Sequence, residues 1–88
     1  MARLVYRAEV FEEDGAWVGV CPDLHVSSFG GTPSQAKDSL KEAVEAFLEG
    51  CRELQTLEDV LAESGYIRNG DVWRVRDRIT DELEATLA

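Results

Sequence analysis

Two runs of strand-forming residues open the chain, with a turn signal between them. Residues 3–12 and residues 16–21 are rich in β-branched and aromatic side chains, and Asp14-Gly15 favours the backbone of a tight turn. A two-residue loop places an almost entirely apolar set of side chains on one face: Tyr6, Ala8, Val10, Trp17, Gly19 and Cys21. We therefore predict a β-hairpin that turns this face toward the core. The alternative is a one-residue bulge, which would slip the register and change the faces.

A third strand and a long helix follow the hairpin. Pro22 ends the second strand, because proline cannot donate a hydrogen bond to a central ladder, and residues 26–29 form a short third run. Thr32 suits a helix N-cap, Pro33 suits the first helical position, and Gln35 completes a capping box. Apolar residues then recur at helical spacing: Ala36, Leu40, Ala43, Val44, Phe47, Leu48 and Cys51. The pattern predicts an amphipathic helix that continues to about Leu54.

A short helix and a second hairpin are predicted next. Thr56 opens another capping box, and Ser64-Gly65 ends the short helix that follows it. Asn69-Gly70 is a strong signal for a two-residue turn, so we predict a hairpin over residues 66–75. Its register would pair Arg68 with Asp71, Ile67 with Val72, and Tyr66 with Trp73.

The last predicted element, residues 79–88, fits two patterns. Ile79, Leu83 and Leu87 have the spacing of one helix face, whereas Leu83, Ala85 and Leu87 fit the alternation of a strand. We predict a helix, because residues 80–82 resemble a cap and an acidic first turn.

These elements predict the α+β class, with an antiparallel β-sheet and one long helix packed on a face in the order β-β-β-α. A short helix and a β-hairpin are added toward the C-terminus. We expect a single domain over residues 1–88, with a core at 3–55 and an extension at 56–88 that contains the hairpin.

The charge balance narrows the classes of function. The 88 residues include 18 acidic and 9 basic side chains, for a net charge of −9. Nucleic-acid affinity comes largely from Lys and Arg that displace counterions, so we expect no direct DNA binding and no membrane binding. No apolar run approaches the ~20 residues of a membrane span, and the charged start does not fit a signal peptide. The expectation is a cytoplasmic protein.

Several stretches, in order, resemble the HicB family, the antitoxin half of HicBA toxin–antitoxin systems. Residues 12–20 are similar to a segment of the family in which an acidic turn is followed by a strand of aromatic and aliphatic residues. Pro22-Asp23-Leu24 is similar to the family's Pro-Asp-Leu signature. Residues 28–36 and residues 41–49 are similar to the start and the body of its helix. The resemblance covers about residues 4–52. It departs at His25-Val26, where the family usually has Pro-Gly.

The resemblance implies a partial ribonuclease-H-like fold and a non-catalytic protein. Its partner would be a small basic HicA-like toxin that cleaves mRNA with a histidine, and the antitoxin would cover the toxin's RNA-binding surface. The net charge of −9 makes attraction to such a surface plausible. Many HicB proteins also carry a C-terminal DNA-binding unit, but residues 57–88 contain no recognisable helix-turn-helix or ribbon-helix-helix pattern.

Three sets of residues raise the question of chemistry. His25 next to Asp23 has the elements of a general base, but the sequence shows no nucleophile beside them, so a polar loop is the simpler interpretation. Cys21 and Cys51 match no zinc spacing and are expected to be buried apolar residues. Three acidic residues form the alternative site, that of a metal-dependent ribonuclease-H-like nuclease: Glu9, Glu12 and Asp23. We predict no enzyme activity, no catalytic residue, no metal site and no cofactor.

Four residues are predicted to contact a partner. Asp23 and Leu24 are the predicted contacts in the loop after the second strand, and Tyr66 and Trp73 are those in the second hairpin. Glu42, Glu45 and Glu49 share one helix side and either meet a basic partner or are simply solvated. A further alternative is an oligomeric interaction domain without a toxin partner, and a homo-oligomer, either a dimer or a tetramer, is expected because small sheets often pair through open edges.

Overall fold

The computed structural model describes residues 2–87, and Met1 and Ala88 lie outside the described residues. Four strands come first along the chain, two helices follow them, and two further strands come last. Their bounds are β1 Arg3–Leu4, β2 Glu9–Glu13, β3 Ala16–Cys21, β4 Val26–Gly30, α1 Pro33–Glu53, α2 Leu57–Glu63, β5 Tyr66–Asn69 and β6 Val72–Val75.

The first hairpin forms in the predicted register. Asp14 and Gly15 have φ angles of 52° and 83°, which are the positive values of a two-residue turn that matches strand twist. The register pairs Val10 with Gly19 and Glu12 with Trp17, and β4 adds to the other edge of β3. The predicted apolar face turns to the helix, where Gly19 and Cys21 are buried.

The strand predicted over residues 3–12 is interrupted, and its first part belongs to a second sheet. β1 pairs in parallel with β6, and the sheet order is β1-β6-β5. Two bonds flank that pairing: the Arg3 amide donates to the Asp71 carbonyl at 2.7 Å, and the Val5 amide donates to the Trp73 carbonyl at 3.0 Å. The chain leaves one sheet and enters the other between residues 5 and 8, because the free edge of β6 offers partners for the backbone of β1.

Helix α1 begins and ends where the sequence indicates. The Thr32 hydroxyl accepts the Gln35 amide at 3.1 Å, and the Gln35 side chain accepts the Gly31 amide at 2.9 Å. The buried residues of α1 belong to the predicted apolar stripe: Ala36, Leu40, Val44 and Cys51. A Cβ on Gly19 would lie 2.9 Å from the Ala36 carbonyl oxygen, so glycine allows strand and helix to approach this closely.

Helix α2 has the predicted bounds but lacks the predicted cap. The Thr56 hydroxyl donates to the Cys51 carbonyl at 3.3 Å and makes no hydrogen bond to the start of α2. The Cys51 carbonyl at the end of α1 accepts the hydrogen bond of the Thr56 hydroxyl, which therefore does not cap α2. Thr56 links the two helices instead.

The second hairpin forms, but its register differs from the predicted one by two residues. Tyr66 pairs with Val75 and Arg68 pairs with Trp73, which makes Gly70-Asp71 the turn in place of Asn69-Gly70. Gly70 has a φ of 62°, and a glycine at the first central position is typical of a type II′ turn. The shift preserves the side-chain faces, because a two-residue slip matches the period of a strand. It also brings the Arg68 guanidinium to 6.0 Å from the Trp73 ring centre.

The helix predicted over residues 79–88 does not form in the described part. Residues 76–87, which we call the arm, have no regular secondary structure. Ile79, Leu83 and Leu87 are 99%, 90% and 91% exposed, so their predicted stripe packs against nothing. An isolated helix of this length is marginal in water, because most helix stability in proteins comes from packing of an apolar face.

The predicted α+β class is confirmed, with two sheets where one was expected. A single apolar core joins the two sheets and both helices, and its buried members are Cys21, Leu24, Leu40, Val44, Leu61 and Tyr66. Leu4 of β1 and Trp73 of β6 pack against it, so the first and the last strand close over the same core.

Candidate protein-binding site

The outer face of the sheet β2–β3–β4, which is the side turned away from α1, is largely apolar. The register places Phe11, Val18 and Phe29 in one row across the three strands. Val20 and Ala16 of β3 lie on the same side by alternation. This row is uncovered, since Phe11 is 44% exposed and Phe29 is 73% exposed. A contiguous exposed apolar patch on a small domain marks a binding surface more often than isolated apolar residues do.

Acidic residues alone provide the charge of the outer face. Glu9 and Glu13 of β2 lie on it by alternation, and both are exposed. Strands β2, β3 and β4 contain no Lys or Arg. An apolar row with glutamates at its edge suits a partner whose apolar contact is surrounded by basic side chains.

The three helix glutamates considered in the sequence also face solvent. Glu42, Glu45 and Glu49 are all exposed on α1, and Glu49 pairs with Arg52 at 3.5 Å. This exposure fits either a solvated surface or a contact with a basic partner, so the acidic helix side stays a prediction.

Asp23 lies at the centre of a charged cluster that the sequence did not indicate. Its carboxylate accepts hydrogen bonds from Arg7 at 3.2 Å and from Arg78 at 2.9 Å, and its side chain is 6% exposed. Burial by itself raises the pKa of Asp23, but the hydrogen bonds and charges of Arg78 and Arg7 outweigh burial and hold the pKa below its ordinary value. Asp23 therefore joins the loop after β3 to the β1–β2 connection and to the arm.

The other three predicted contact residues lie in or on the core. Leu24 and Tyr66 are buried at 5% and 3% exposure, and Trp73 packs against them while keeping part of its ring accessible. The fold thus brings the loop and the hairpin together at one core. Leu24 and Tyr66 are covered by the chain itself and the Asp23 side chain is 6% exposed, so Trp73 is the partly accessible side chain of the four.

The Tyr66 hydroxyl has no hydrogen-bond partner among residues 2–87, although it is buried. Burial raises the pKa of Tyr66, and the neighbouring Cys21 and Asp23 raise it further. The group stays protonated at neutral pH, so it is a structural phenol with one unsatisfied polar atom.

His25 is an exposed turn residue. It has a φ of 57°, and its amide donates to the Pro22 carbonyl at 3.4 Å. The backbone therefore adopts at His25 the left-handed conformation that glycine adopts most easily. This agrees with the polar-loop interpretation of the His25-Asp23 pair.

The carboxylates of the alternative nuclease site do not come together. Glu9 and Glu12 lie on opposite faces of β2, and Asp23 is occupied by two arginines. Within residues 2–87, no group of three or more His, Cys, Asp and Glu side chains is arranged to hold a metal ion. Cys21 and Cys51 are free and buried, in agreement with their interpretation as small apolar residues.

Sequence reasoning missed the outer face, although its signal was present. Once residues 10, 17, 19 and 21 were assigned to the core face, alternation left Phe11 and Val18 on the other side. The row became visible only when the register of β4 added Phe29. The Asp23 cluster carried no comparable signal, because Arg7 and Arg78 are 16 and 55 residues away from Asp23 in sequence.

Comparisons with known proteins leave the resemblance to the HicB family as a prediction. Among the described residues, no helix has both the length and the apolar character that a membrane crossing requires. No family model matches the chain, and neither a curated protein nor a solved structure matches it.

Proposed function

We propose that the protein is a HicB-like antitoxin. It binds a small basic toxin of the HicA type and covers the surface with which that toxin cleaves mRNA. The observation that carries this proposal is the outer face, where the exposed row Phe11–Val18–Phe29 is accompanied by Glu9 and Glu13 and by no basic residue.

The proposed mechanism is occlusion, which needs no chemistry from this chain. A net charge of −9 attracts a basic partner over distances comparable to the Debye length, which is about 8–10 Å at physiological salt. The apolar row then supplies the short-range contact, because aromatic side chains dominate the energetics of protein interfaces. The occupied surface of the toxin is no longer open to RNA.

A growth assay with the neighbouring small open reading frame tests the proposal. We expect its product to arrest growth when expressed alone, and co-expression of this protein to restore growth. The purified pair should co-elute from size exclusion, and RNA cleavage by the toxin should stop near a one-to-one ratio. Absence of arrest, or arrest without rescue or complex, would contradict the antitoxin function.

A matched pair of variants tests the surface. Phe29→Asp places a charge in the apolar row and is expected to abolish rescue, whereas Leu54→Asp changes an equally exposed leucine at the end of α1 and should rescue fully. Both side chains are more than 70% exposed, so neither change should unfold the chain. Rescue by Phe29→Asp would place the toxin on another surface.

A further inference from the structure

A groove lies between α1, α2 and the sheet β1-β6-β5, on a different side of the molecule from the outer face. Its volume is about 900 Å³. Apolar side chains from each of these elements line it, among them Leu4, Leu48, Leu57 and Trp73. These residues are only partly buried, and they pack against the outside of the core. The groove is thus an apolar depression without an occupant within residues 2–87.

The rim of the groove carries more basic than acidic side chains, in a chain that is acidic as a whole. Lys41 and Arg52 lie on the α1 wall, and Arg3 lies on the opposite wall at β1. The acidic residues at the groove are Glu45 and Glu49, and Glu49 is paired with Arg52. Three basic and two acidic side chains give a local charge of +1, against −9 for the whole chain.

The arm has the complementary properties. Its residues 79–87 contain three large apolar side chains that are at least 90% exposed, together with Asp81, Glu82 and Glu84 and no basic residue. As a helix, this segment would place the apolar residues along one side and Glu82 and Glu84 on the two flanks of that side. As a strand, it would place Asp81 on the apolar face, so the helix is the better fit to an apolar groove.

The arm does not contact the groove of its own chain. Its first part is held by the Arg78–Asp23 bond at 2.9 Å, and beyond it the side chains stand free in solvent. The radius of gyration is 15.3 Å, whereas a compact chain of this length has about 12 Å. The segment therefore projects from the body and is available to a neighbouring molecule.

We propose that a second copy of this chain occupies the groove: residues 79–87 of each copy fold into a helix that docks in the groove of the other. The apolar side chains of the groove meet the apolar side of the helix. Arg3 on one wall and Lys41 on the other form no ion pair within residues 2–87, and they meet its acidic flanks. The exchange is two-fold symmetric, so each contact is made twice and the dimer closes without open sites. A helix over residues 79–87 is only marginally stable in isolation, and the groove supplies the apolar surface against which it can pack.

Light scattering with size exclusion tests the dimer. The wild-type chain is expected to be a dimer, and Leu83→Asp should weaken the dimer by roughly tenfold or more, because the leucine loses its apolar burial. Leu54→Asp, an exposed leucine outside both the arm and the groove, is the matched control and should remain dimeric. A monomeric wild type, or a dimer that survives Leu83→Asp, would overturn the proposal.

A mixing experiment tests the exchange itself. The double variant Lys41→Glu with Arg52→Glu alters only the exposed rim and should also weaken the dimer. Mixed with Leu83→Asp, it should form a heterodimer, since one intact groove and one intact arm then meet. Failure of the mixture to associate would overturn the arm-and-groove contact even if the wild type is a dimer.

Helix content gives an independent readout. Dilution of the wild type through its dissociation range should lower the circular dichroism signal at 222 nm as the arm unfolds. A monomer that keeps the full helical signal would place the arm in the groove of its own chain and would overturn the second-copy assignment. The groove includes Trp73 and Glu45 but no residue of the row Phe11–Val18–Phe29. The Phe29→Asp test of toxin binding and the Leu83→Asp test of the dimer therefore give separate outcomes.

Discussion

His25 has a backbone conformation that costs an L-amino acid roughly 1–2 kcal/mol, because its Cβ approaches the carbonyl oxygen. His25→Gly removes that strain, but glycine also raises the conformational entropy of the unfolded chain, which offsets part of the gain. The free energy of unfolding should therefore rise by about 0.5–1 kcal/mol. His25→Val should lower it. Urea unfolding measures both changes, with Gln55→Gly, at a φ of 60°, as the parallel case. A loss of stability in His25→Gly would mean that the imidazole makes a stabilising contact.

Tyr66 combines a well-buried ring with an unsatisfied hydroxyl, and the two parts should respond differently to substitution. Tyr66→Phe removes only the unpaired group, so the free energy of unfolding should stay unchanged or rise by up to about 1 kcal/mol. Tyr66→Ala removes the ring from the core and should cost about 3–5 kcal/mol. Thermal and urea unfolding distinguish these outcomes. A clear loss in Tyr66→Phe would indicate a buried water molecule bound to the hydroxyl.

At the scale of elements, β3 and α1 approach each other closely at Gly19. Gly19→Ala brings a Cβ to 2.9 Å from a helix carbonyl oxygen, so strand and helix must separate, and the cost should be about 1–3 kcal/mol. Gly50→Ala is the matched control inside α1, where a Cβ meets nothing within 4 Å, and it should stabilise by up to about 1 kcal/mol. Equal effects of the two substitutions would contradict the packing described here.

The Asp23 cluster joins three parts of the chain and makes their association dependent on pH. The folded-state pKa of Asp23 lies below its unfolded value of about 3.9, so the cluster contributes stability above pH ~4 and loses it as the pH falls through the folded pKa. Asp23→Asn should therefore lower the free energy of unfolding at pH 7 by about 1–2 kcal/mol, an amount limited by the half-exposed arginines.

The difference between wild type and Asp23→Asn should shrink below pH 4. Glu12→Gln is the control, because Glu12 is exposed and forms no ion pair within residues 2–87, and it should change little at any pH. A difference that stays constant down to pH 2 would show that the asparagine disturbs the turn rather than the ion pairs.

At the scale of the whole molecule, the 18 acidic residues outnumber the basic ones two to one, and their repulsion acts against the compact state. Sodium chloride screens that repulsion, so the melting temperature should rise by a few degrees between low salt and about 0.5 M. The arginine of each ion pair among residues 2–87 is at least 43% exposed, so weakening of these pairs by salt should not reverse the trend. A falling melting temperature would show that the Asp23 cluster outweighs the net charge.

Much of the fold could be predicted because its signals are local. The start of α1 is encoded by Thr32, Pro33 and Gln35 within four positions, and the first hairpin by Asp14-Gly15. The second hairpin was predicted with the wrong turn, because Asn69-Gly70 and Gly70-Asp71 are both acceptable turn pairs and only packing chooses between them. The arm was predicted as a helix from a stripe that requires a partner surface.

The sequence by itself determined helices α1 and α2, the strand faces and the acidic character of this protein, because periodicity and capping depend on neighbouring residues and net charge on composition. Tertiary structure alone decided the parallel pairing of β1 with β6, the cluster of Arg7, Asp23 and Arg78, and the row that Phe29 completes with Phe11 and Val18. Each of these joins residues far apart in the chain, and no local pattern specifies which distant backbone edge or charge a residue will meet.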